Sequence, residues 1–224
     1  MRVLAVTHGP LVGPELFADV VAEEGHKLLE WDIRLQGAPP RDFDAVMVFG
    51  GDQNIGEELH HPWLHDEYEA LREWVARGTP LLCVCLGAQA LAHALDAPVQ
   101  PVGETLAGFY ESELTVEGAA DPVLGVLPHR FEALNANAYR FEIPASATEL
   151  VRGPVPQAFR VDGYAWAVQF HPEVRREQLL EWFRDDPKVP KPLDAIEAEL
   201  DEKLAEWQEH GRAICRAFLA VAGS

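Results

Sequence analysis

The sequence is poor in cysteine, poor in positive charge and free of long apolar runs, and each shortage excludes a class of protein. Its three cysteines are too few for a disulfide framework, and one residue separates Cys83 from Cys85. This usage favours a reducing cytoplasm. Only 18 lysines and arginines stand against 37 aspartates and glutamates, so the formal net charge is -19. Such a charge repels phosphate backbones, and we expect no nucleic-acid partner.

Membrane insertion and export are disfavoured as well. No apolar run reaches the ~18 residues of a membrane-spanning helix, and residues 1–10 lack the cleavage region of a signal peptide. Hydrophobic residues make up 48% and charged residues 25% of the 224 positions, as in an ordinary soluble globular protein. That length suits one α/β domain with a full core, so we interpret residues 1–224 as a single domain.

The first hundred residues alternate between apolar strands and amphipathic helices. We predict strands over residues 3–7, 27–32, 44–49 and 80–84, and helices over residues 14–24, 66–77 and 86–95. Alternation of this kind is typical of a mostly parallel sheet with helices on both faces.

The remainder of the chain has a different pattern. We predict short strands over residues 108–117, 130–135, 148–152, 157–161 and 164–170. Asp162-Gly163 is a two-residue hairpin signal between the last two runs, so an antiparallel section follows the parallel one. A long amphipathic helix is predicted over residues 193–222, packed on its own sheet in preference to docking a partner. Pro187, Pro190 and Pro192 indicate a stiff loop before it.

Cys85 is the strongest candidate for chemistry. It lies where an apolar strand turns into a helix, a geometry that can hold a nucleophile on a sharp elbow. The helix N-terminus favours the thiolate. A buried structural cysteine is the competing interpretation, and it is the one we adopt for Cys83. A metal half-site at these two cysteines lacks a second cysteine pair, so we expect no metal.

His171 and Glu173 supply what Cys85 lacks. His171 ends an apolar strand, where α/β folds place reactive groups, and Glu173 is close enough to orient the imidazole. Upstream, Gly50-Gly51 follows a strand and lets backbone N–H groups approach a ligand. The Gly51 and Leu86 N–H groups are candidate donors of an oxyanion hole. A simple strand-ending turn is the competing interpretation of the two glycines, and it is favoured when they are taken alone.

The segments 49–51, 83–89 and 168–173 together resemble the class I, triad-type glutamine amidotransferases. The resemblance covers about residues 1–180, and the cysteine and histidine motifs are jointly specific. It implies a three-layer α/β/α sandwich of the flavodoxin-like kind, with a mostly parallel mixed sheet and a small antiparallel section. It implies no cofactor.

The resemblance also implies roles for single residues. Cys85 would attack the side-chain amide carbon of glutamine, His171 would move the proton, and Glu173 would hold His171. A γ-glutamyl thioester would form and water would release glutamate. Gln89 matches a position that touches bound glutamine, and the backbone of Gly108 and Phe109 resembles the segment that binds the substrate's amino-acid end.

Two other functions stay open. Asn137 and Tyr139 stand where the family often has histidine and aspartate, which keeps a γ-glutamyl hydrolase or peptidase as one alternative. A non-catalytic binding protein on the same fold is the other. Because the chain shows no synthetase domain, any acceptor of ammonia would lie on a separate chain.

Overall fold

The computed structural model describes residues 1–184 and 189–224. Its strands are β1 Arg2–Thr7, β2 Lys27–Asp32, β3 Ala45–Val48, β4 Leu81–Val84, β5 Val99–Leu114, β6 Arg130–Phe141, β7 Ala147–Arg152, β8 Ala158–Val161 and β9 Ala165–Val168. Its helices are α1 Glu15–Glu23, α2 Ile33–Gln36, α3 Trp63–Arg77, α4 Leu86–Ala94, α5 Val116–Ala119, α6 Arg176–Phe183 and α7 Leu193–Ala222.

These strands form one mixed sheet in the order β2-β1-β3-β4-β9-β8-β7-β5-β6. From β2 to β9 the neighbours are parallel, and from β9 to β6 they are antiparallel. The order 2-1-3-4 at the parallel end is that of the flavodoxin-like doubly wound fold. The predicted fold class is therefore confirmed.

Helices cover both faces of the parallel strands, and the alternation of side chains along each strand explains why. In β1, Val3 and Ala5 face one apolar core with α1 and α7, whereas Leu4 and Val6 face a second core with α3 and α4. A strand buried on both faces needs apolar residues at every position, and residues 3–6 are fully buried.

The antiparallel half differs from the sequence prediction in its strand lengths. β5 begins at Val99 rather than residue 108, and β6 extends to Phe141 rather than ending at residue 135. The two strands pair along most of their length, with an irregular register between Pro101 and Leu106. The predicted hairpin is present, since β8 and β9 are antiparallel and Asp162 and Gly163 both have positive φ.

Several helix boundaries also differ from those predicted. α3 begins at Trp63, three residues before the predicted start, while α7 has the predicted bounds. The predicted strand 108–117 ends at Leu114 because Thr115 caps the short helix α5, its hydroxyl accepting from the Gly118 N–H at 2.9 Å. Of the three prolines assigned to a stiff loop, Pro187 lies outside the described residues. In the parts of the chain that the structure describes, no helix is long and apolar enough to cross a membrane.

Candidate active site

The ends of four parallel strands bring the candidate residues together. His8 follows β1, Gly50 and Gly51 follow β3, Cys85 follows β4, and His171 follows β9. In open α/β sheets the crevice outside the carboxyl ends of the strands is the usual place for ligands. This topology places residues that are far apart in the sequence around one point.

Cys85 occupies a strained turn between β4 and α4. Its backbone has φ 51° and ψ -107°, a conformation that is costly for a residue with a side chain. The Cys85 N–H donates to the Val168 carbonyl oxygen of β9 at 2.8 Å, which ties the turn to the neighbouring strand. Cys85 is 6% exposed, lines a crevice and is the N-cap residue of α4.

Gly87 allows α4 to begin directly against β3. A β-carbon added at Gly87 would lie 2.5 Å from the Val48 carbonyl oxygen, and the Gly87 N–H donates to the Phe49 carbonyl oxygen at 3.1 Å. In contrast, the N–H groups of Leu86 and Gly51 donate to no acceptor in the parts of the chain that the structure describes. These are the two groups predicted to bind an oxyanion.

His171 is buried beside Glu173 and on the same side of Gly50 as Cys85. Its Nδ1 lies 2.8 Å from Glu173 Oε1. A β-carbon added at Gly50 would lie 3.0 Å from His171 Cε1 and 3.7 Å from Cys85 Cβ. Burial lowers the pKa of His171, but the negative charges of Glu173 and Cys85 outweigh it and raise this pKa to about 10.

The backbone of the histidine segment is fixed by β6 and α7. The His171 N–H donates to the Leu134 carbonyl oxygen at 2.9 Å, and the His171 carbonyl oxygen accepts from Trp207 Nε1 at 2.7 Å. α7 approaches so closely that a β-carbon added at Gly211 would lie 1.9 Å from the Pro172 carbonyl oxygen. The C-terminal helix therefore holds the position of a candidate catalytic residue.

A cavity of about 290 Å³ opens above these groups. Residues lining it include Gly51, Cys85, Leu86, Gln89, Asn137, Tyr139, His171 and Trp182. The Gln89 amide nitrogen donates to the Tyr139 carbonyl oxygen at 3.0 Å and to Gln169 Oε1 at 3.2 Å. The volume of the cavity is near the lower end for small-molecule sites, which fits a ligand of amino-acid size.

Gly108 and Phe109 are not among the residues lining that cavity in the described chain. The Phe109 N–H lies 3.4 Å from Glu199 Oε2 of α7, and Gly108 faces the same carboxylate and the Lys191 ammonium. From β5 it is Thr105 and Leu106 that reach the cavity. The substrate-binding role of Gly108 and Phe109 therefore stays a prediction.

A buried pair that the sequence did not reveal lies beneath the glycine loop. His8 Nδ1 is 2.7 Å from the Gly50 carbonyl oxygen, and His8 Nε2 is 2.9 Å from Glu67 Oε2. Both side chains are fully buried, and the His8 ring stacks on Trp63 with centroids 5.1 Å apart. A lone histidine after a strand matches no specific sequence motif. The position of His8 at the carboxyl end of a predicted strand was nevertheless a signal that could have marked it as a site residue.

The other two cysteines are buried away from solvent. Burial and the nearby Glu67 raise the pKa of Cys83 well above its ordinary value, and burial raises that of Cys215. All three cysteines are free. Within residues 1–184 and 189–224, no group of three or more His, Cys, Asp or Glu side chains could hold a metal ion.

Solved structures of other proteins share the fold of this chain. A glutamine amidotransferase of Thermotoga maritima has a TM-score of 0.80 at 23% identity, with 99% of this chain and 97% of that chain covered. A glutamine amidotransferase of Methylobacillus flagellatus has a TM-score of 0.85 at 21% identity, with 98% and 94% covered. Both likenesses place the chain in the same flavodoxin-like α/β class.

Sequence comparison then defines the family. The model of the family described as glutamine amidotransferase class-I matches residues 22–186. A glutamine-hydrolyzing GMP synthase of Thermomicrobium roseum is 34% identical over 188 residues, which cover 80% of this chain and 33% of the relative. One of Thermus thermophilus is 32% identical over 155 residues, covering 65% of this chain and 29% of the relative. The chain belongs to the class-I glutamine amidotransferase family, and it spans about a third of the length of these synthases.

Proposed function

We propose that this protein hydrolyses the side-chain amide of glutamine to glutamate and ammonia, with Cys85 as nucleophile, His171 as acid and base, and Glu173 as the group that orients the imidazole. The observation that carries this proposal is the meeting of a strained cysteine elbow with a buried His171–Glu173 pair at one cavity. Family membership supports the same reaction class.

The first half of the reaction begins from an ion pair. Because the pKa of His171 is raised to about 10, the imidazole is protonated at neutral pH. Cys85, its partner in the pair, reacts as the thiolate, which is the nucleophilic form of cysteine. The thiolate attacks the amide carbon, and the oxygen that becomes negative lies near the Gly51 and Leu86 N–H groups. When the C–N bond breaks, the imidazolium donates its proton to the departing nitrogen, and a γ-glutamyl thioester remains.

The second half returns the site to its starting state. A water molecule loses a proton to the now neutral His171 and attacks the thioester carbon through the same oxyanion geometry. The C–S bond breaks, glutamate leaves, and thiolate and imidazolium are restored. Glu173 stabilises the imidazolium whenever it forms and keeps Nδ1 protonated, which leaves Nε2 for the transfer.

The ammonia needs an acceptor, and we propose a synthetase carried on another chain. The GMP synthases to which this chain is similar are glutamine-hydrolyzing synthases. We place the protein in the cytoplasm, because three free cysteines and a thiolate nucleophile need a reducing compartment.

Hydrolysis of γ-glutamyl conjugates is the second candidate. The cavity is lined by Asn137 and Tyr139, where the family often has other residues, and Asn137 Oδ1 has no hydrogen-bond partner in the described chain. Different residues in the cavity wall can change which substituent on the γ-amide nitrogen of a substrate the cavity accommodates.

The first test is covalent labelling by a glutamine-like chloroketone, read by intact mass in wild type and Cys85→Ala. We expect a single adduct on wild type only, because the burial and raised pKa of Cys83 and Cys215 protect them. Turnover of glutamine and of γ-glutamyl-p-nitroanilide is measured beside it. Turnover that survives in Cys85→Ala would refute the mechanism, and turnover of the conjugate alone would select the second candidate.

A further inference from the structure

We propose that the buried pair His8–Glu67 is a positioning device for the oxyanion hole: it fixes the Gly50–Gly51 peptide so that the Gly51 N–H faces Cys85, and it strengthens that N–H as a donor. This proposal rests on the proposed function. Neither residue is among those lining the cavity that contains Cys85 in the described chain, so both act through the glycine loop.

The geometry of the peptide unit between Gly50 and Gly51 links the His8 contact to the direction of the Gly51 N–H. A trans peptide is planar, and its carbonyl and N–H point in opposite directions. The carbonyl of Gly50 and the N–H of Gly51 belong to one such unit. His8 holds the carbonyl at 2.7 Å, while Gly51 lines the cavity that contains Cys85. Whatever fixes the carbonyl therefore fixes the direction of the N–H.

The rest of the loop cannot supply this restraint. Glycines have no side chain to anchor them, and the Gly50–Gly51 loop follows the last residue of β3. A larger residue is excluded at Gly51, since an added β-carbon would lie 2.7 Å from Leu86 Cδ2 and 2.8 Å from His8 Cβ. The loop therefore has to be small, and the hydrogen bond from His8 supplies a restraint on the Gly50 carbonyl that no side chain of the two glycines can provide.

A count of protons shows what His8 brings to the peptide. A carbonyl oxygen only accepts, so Nδ1 carries a hydrogen and donates to Gly50. Nε2 and the Glu67 carboxylate then share one further proton across 2.9 Å. Burial lowers the pKa of His8, but Glu67 and the Gly50 carbonyl outweigh it and raise this pKa. The imidazolium form is therefore more favoured at His8 than in a free histidine, with Glu67 as its counter-charge.

A charged donor on the carbonyl changes the far side of the same peptide. Hydrogen bonds in a chain polarise one another, and a donor on the C=O makes the N–H of that unit a better donor. A charge-assisted bond is also stronger than a neutral one. The pair thus strengthens the Gly51 N–H for an oxygen that becomes negative during hydrolysis, a charge that does not form when the thiolate reacts at a saturated carbon.

That difference gives a test that separates positioning from general stability. Hydrolysis of glutamine requires an oxyanion, whereas alkylation of Cys85 by iodoacetamide displaces iodide from a saturated carbon and forms none. Rates of both reactions are measured for wild type, His8→Leu and His8→Asn. The asparagine amide nitrogen can replace Nδ1 as donor to Gly50, and leucine cannot.

We expect His8→Leu to lose about 10- to 100-fold in kcat/KM for hydrolysis while its alkylation rate stays within about twofold. His8→Asn should recover about half of that loss on a logarithmic scale. Equal losses in the two reactions would overturn the proposal in favour of a purely structural role, as would undiminished hydrolysis in His8→Leu. If wild type hydrolyses neither glutamine nor the conjugate, the proposed function and this inference fall together.

Two further variants keep the test valid if His8→Leu does not fold. Glu67→Gln leaves an Nδ1–H donor on Gly50 but removes the counter-charge, and we expect about a 3- to 10-fold fall in the ratio of hydrolysis to alkylation. Asp121→Asn is the matched control, because Asp121 is a buried carboxylate 2.7 Å from Arg160 in the antiparallel half. Its ratio should not change, and an unchanged ratio in Glu67→Gln would overturn the role of charge.

Discussion

At the scale of residues, the site depends on groups that are costly alone and acceptable together. Cys85 has a backbone conformation that a side chain disfavours, and His171 is an imidazolium in a buried position. Each is held by a neighbour: Val168 accepts from the Cys85 N–H, and Glu173 balances the charge on His171. Strain and burial of this kind are typical of functional sites, and the stability of the surrounding structure has to compensate for their cost.

The raised pKa of His171 makes stability depend on pH. The folded value of about 10 lies above the unfolded value of 6.5, so protonation favours the folded state. The contribution is complete below pH 6.5 and is lost as the pH rises through 10. We expect the advantage of wild type over His171→Gln in free energy of unfolding to fall by at least about 1 kcal/mol across this window.

Urea unfolding in the presence of a thiol reductant, at four pH values from 6 to 10, measures this difference. The comparison with His171→Gln removes the titration of all other groups that the two proteins share. An advantage that is constant or grows with pH would show that His171 is neutral in the folded protein, and the ion-pair start of the mechanism would be wrong.

At the scale of elements, α7 does more than cover the sheet. Its Trp207 is buried among Phe109, Phe131 and Phe170 and donates to the His171 carbonyl oxygen. The ends of α1 and α7 are joined by ion pairs of Arg212 and Arg216 with acidic residues of α1. Yet the matched family region ends at residue 186, so part of the support for the site lies beyond it.

Trp207→Phe tests this support. The substitution keeps an aromatic ring in the cluster but removes the N–H that holds the His171 carbonyl, together with part of the indole volume. We expect a loss of at least about 1 kcal/mol in stability and a fall of about 3- to 10-fold in kcat with KM unchanged, since misplacement of a catalytic group affects the chemical step.

Trp166→Phe is the matched control for Trp207→Phe. Trp166 is also fully buried, its Nε1 donates to the Asp121 carboxylate at 3.0 Å, and neither residue is among those lining the cavity in the described chain. It should lose stability without losing kcat. A comparable fall in kcat for both variants would mean that lowered stability, rather than the position of His171, limits the rate.

The sequence predicted the parallel half of the fold better than the antiparallel half, for physical reasons. β1, β3 and β4 are buried on both faces and are therefore continuous apolar runs. No residue in the first part of β5, from Val99 to Leu106, is fully buried, and this stretch contains Pro101 and Gly103. Its sequence therefore does not resemble a strand, and pairing with β6 determines its structure. Helix α6 was missed because only three of its eight residues are buried and the apolar pattern is weak.

The candidate site shows the same division between local and distant information. Cys85, His171 and Glu173 lie in short motifs, and their segments meet at one cavity in the structure. His8 and Glu67 are 59 residues apart and form a pair only because β1 and α3 approach the glycine loop. Pattern reading on a single sequence detects the first kind of residue, while the second kind needs the fold.

At the scale of the whole molecule, we propose that residues 1–224 fold as one domain with α7 as an integral part. One sheet contains every strand of the described chain, and α7 contributes nine buried residues, Trp207 and Phe218 among them. Removing this helix would expose a large apolar surface. The two cores on either face of the sheet share its strands, which favours cooperative unfolding.

The net charge of -19 sets two opposing effects of salt against each other. Ions screen the repulsion among excess carboxylates, which stabilises the compact state, and they also screen surface ion pairs such as Arg216–Glu23. Exposed pairs contribute little individually, so the repulsion should dominate.

We expect Tm at pH 7.5 to rise by about 2 to 4 °C, or about 1 kcal/mol, between low salt and half-molar NaCl. Near the isoelectric point of about 4.7, where the repulsion vanishes, the same step should change Tm by less than about 1 °C. A fall in Tm at pH 7.5 would instead show that the ion pairs between α1 and α7 outweigh the repulsion of the whole molecule.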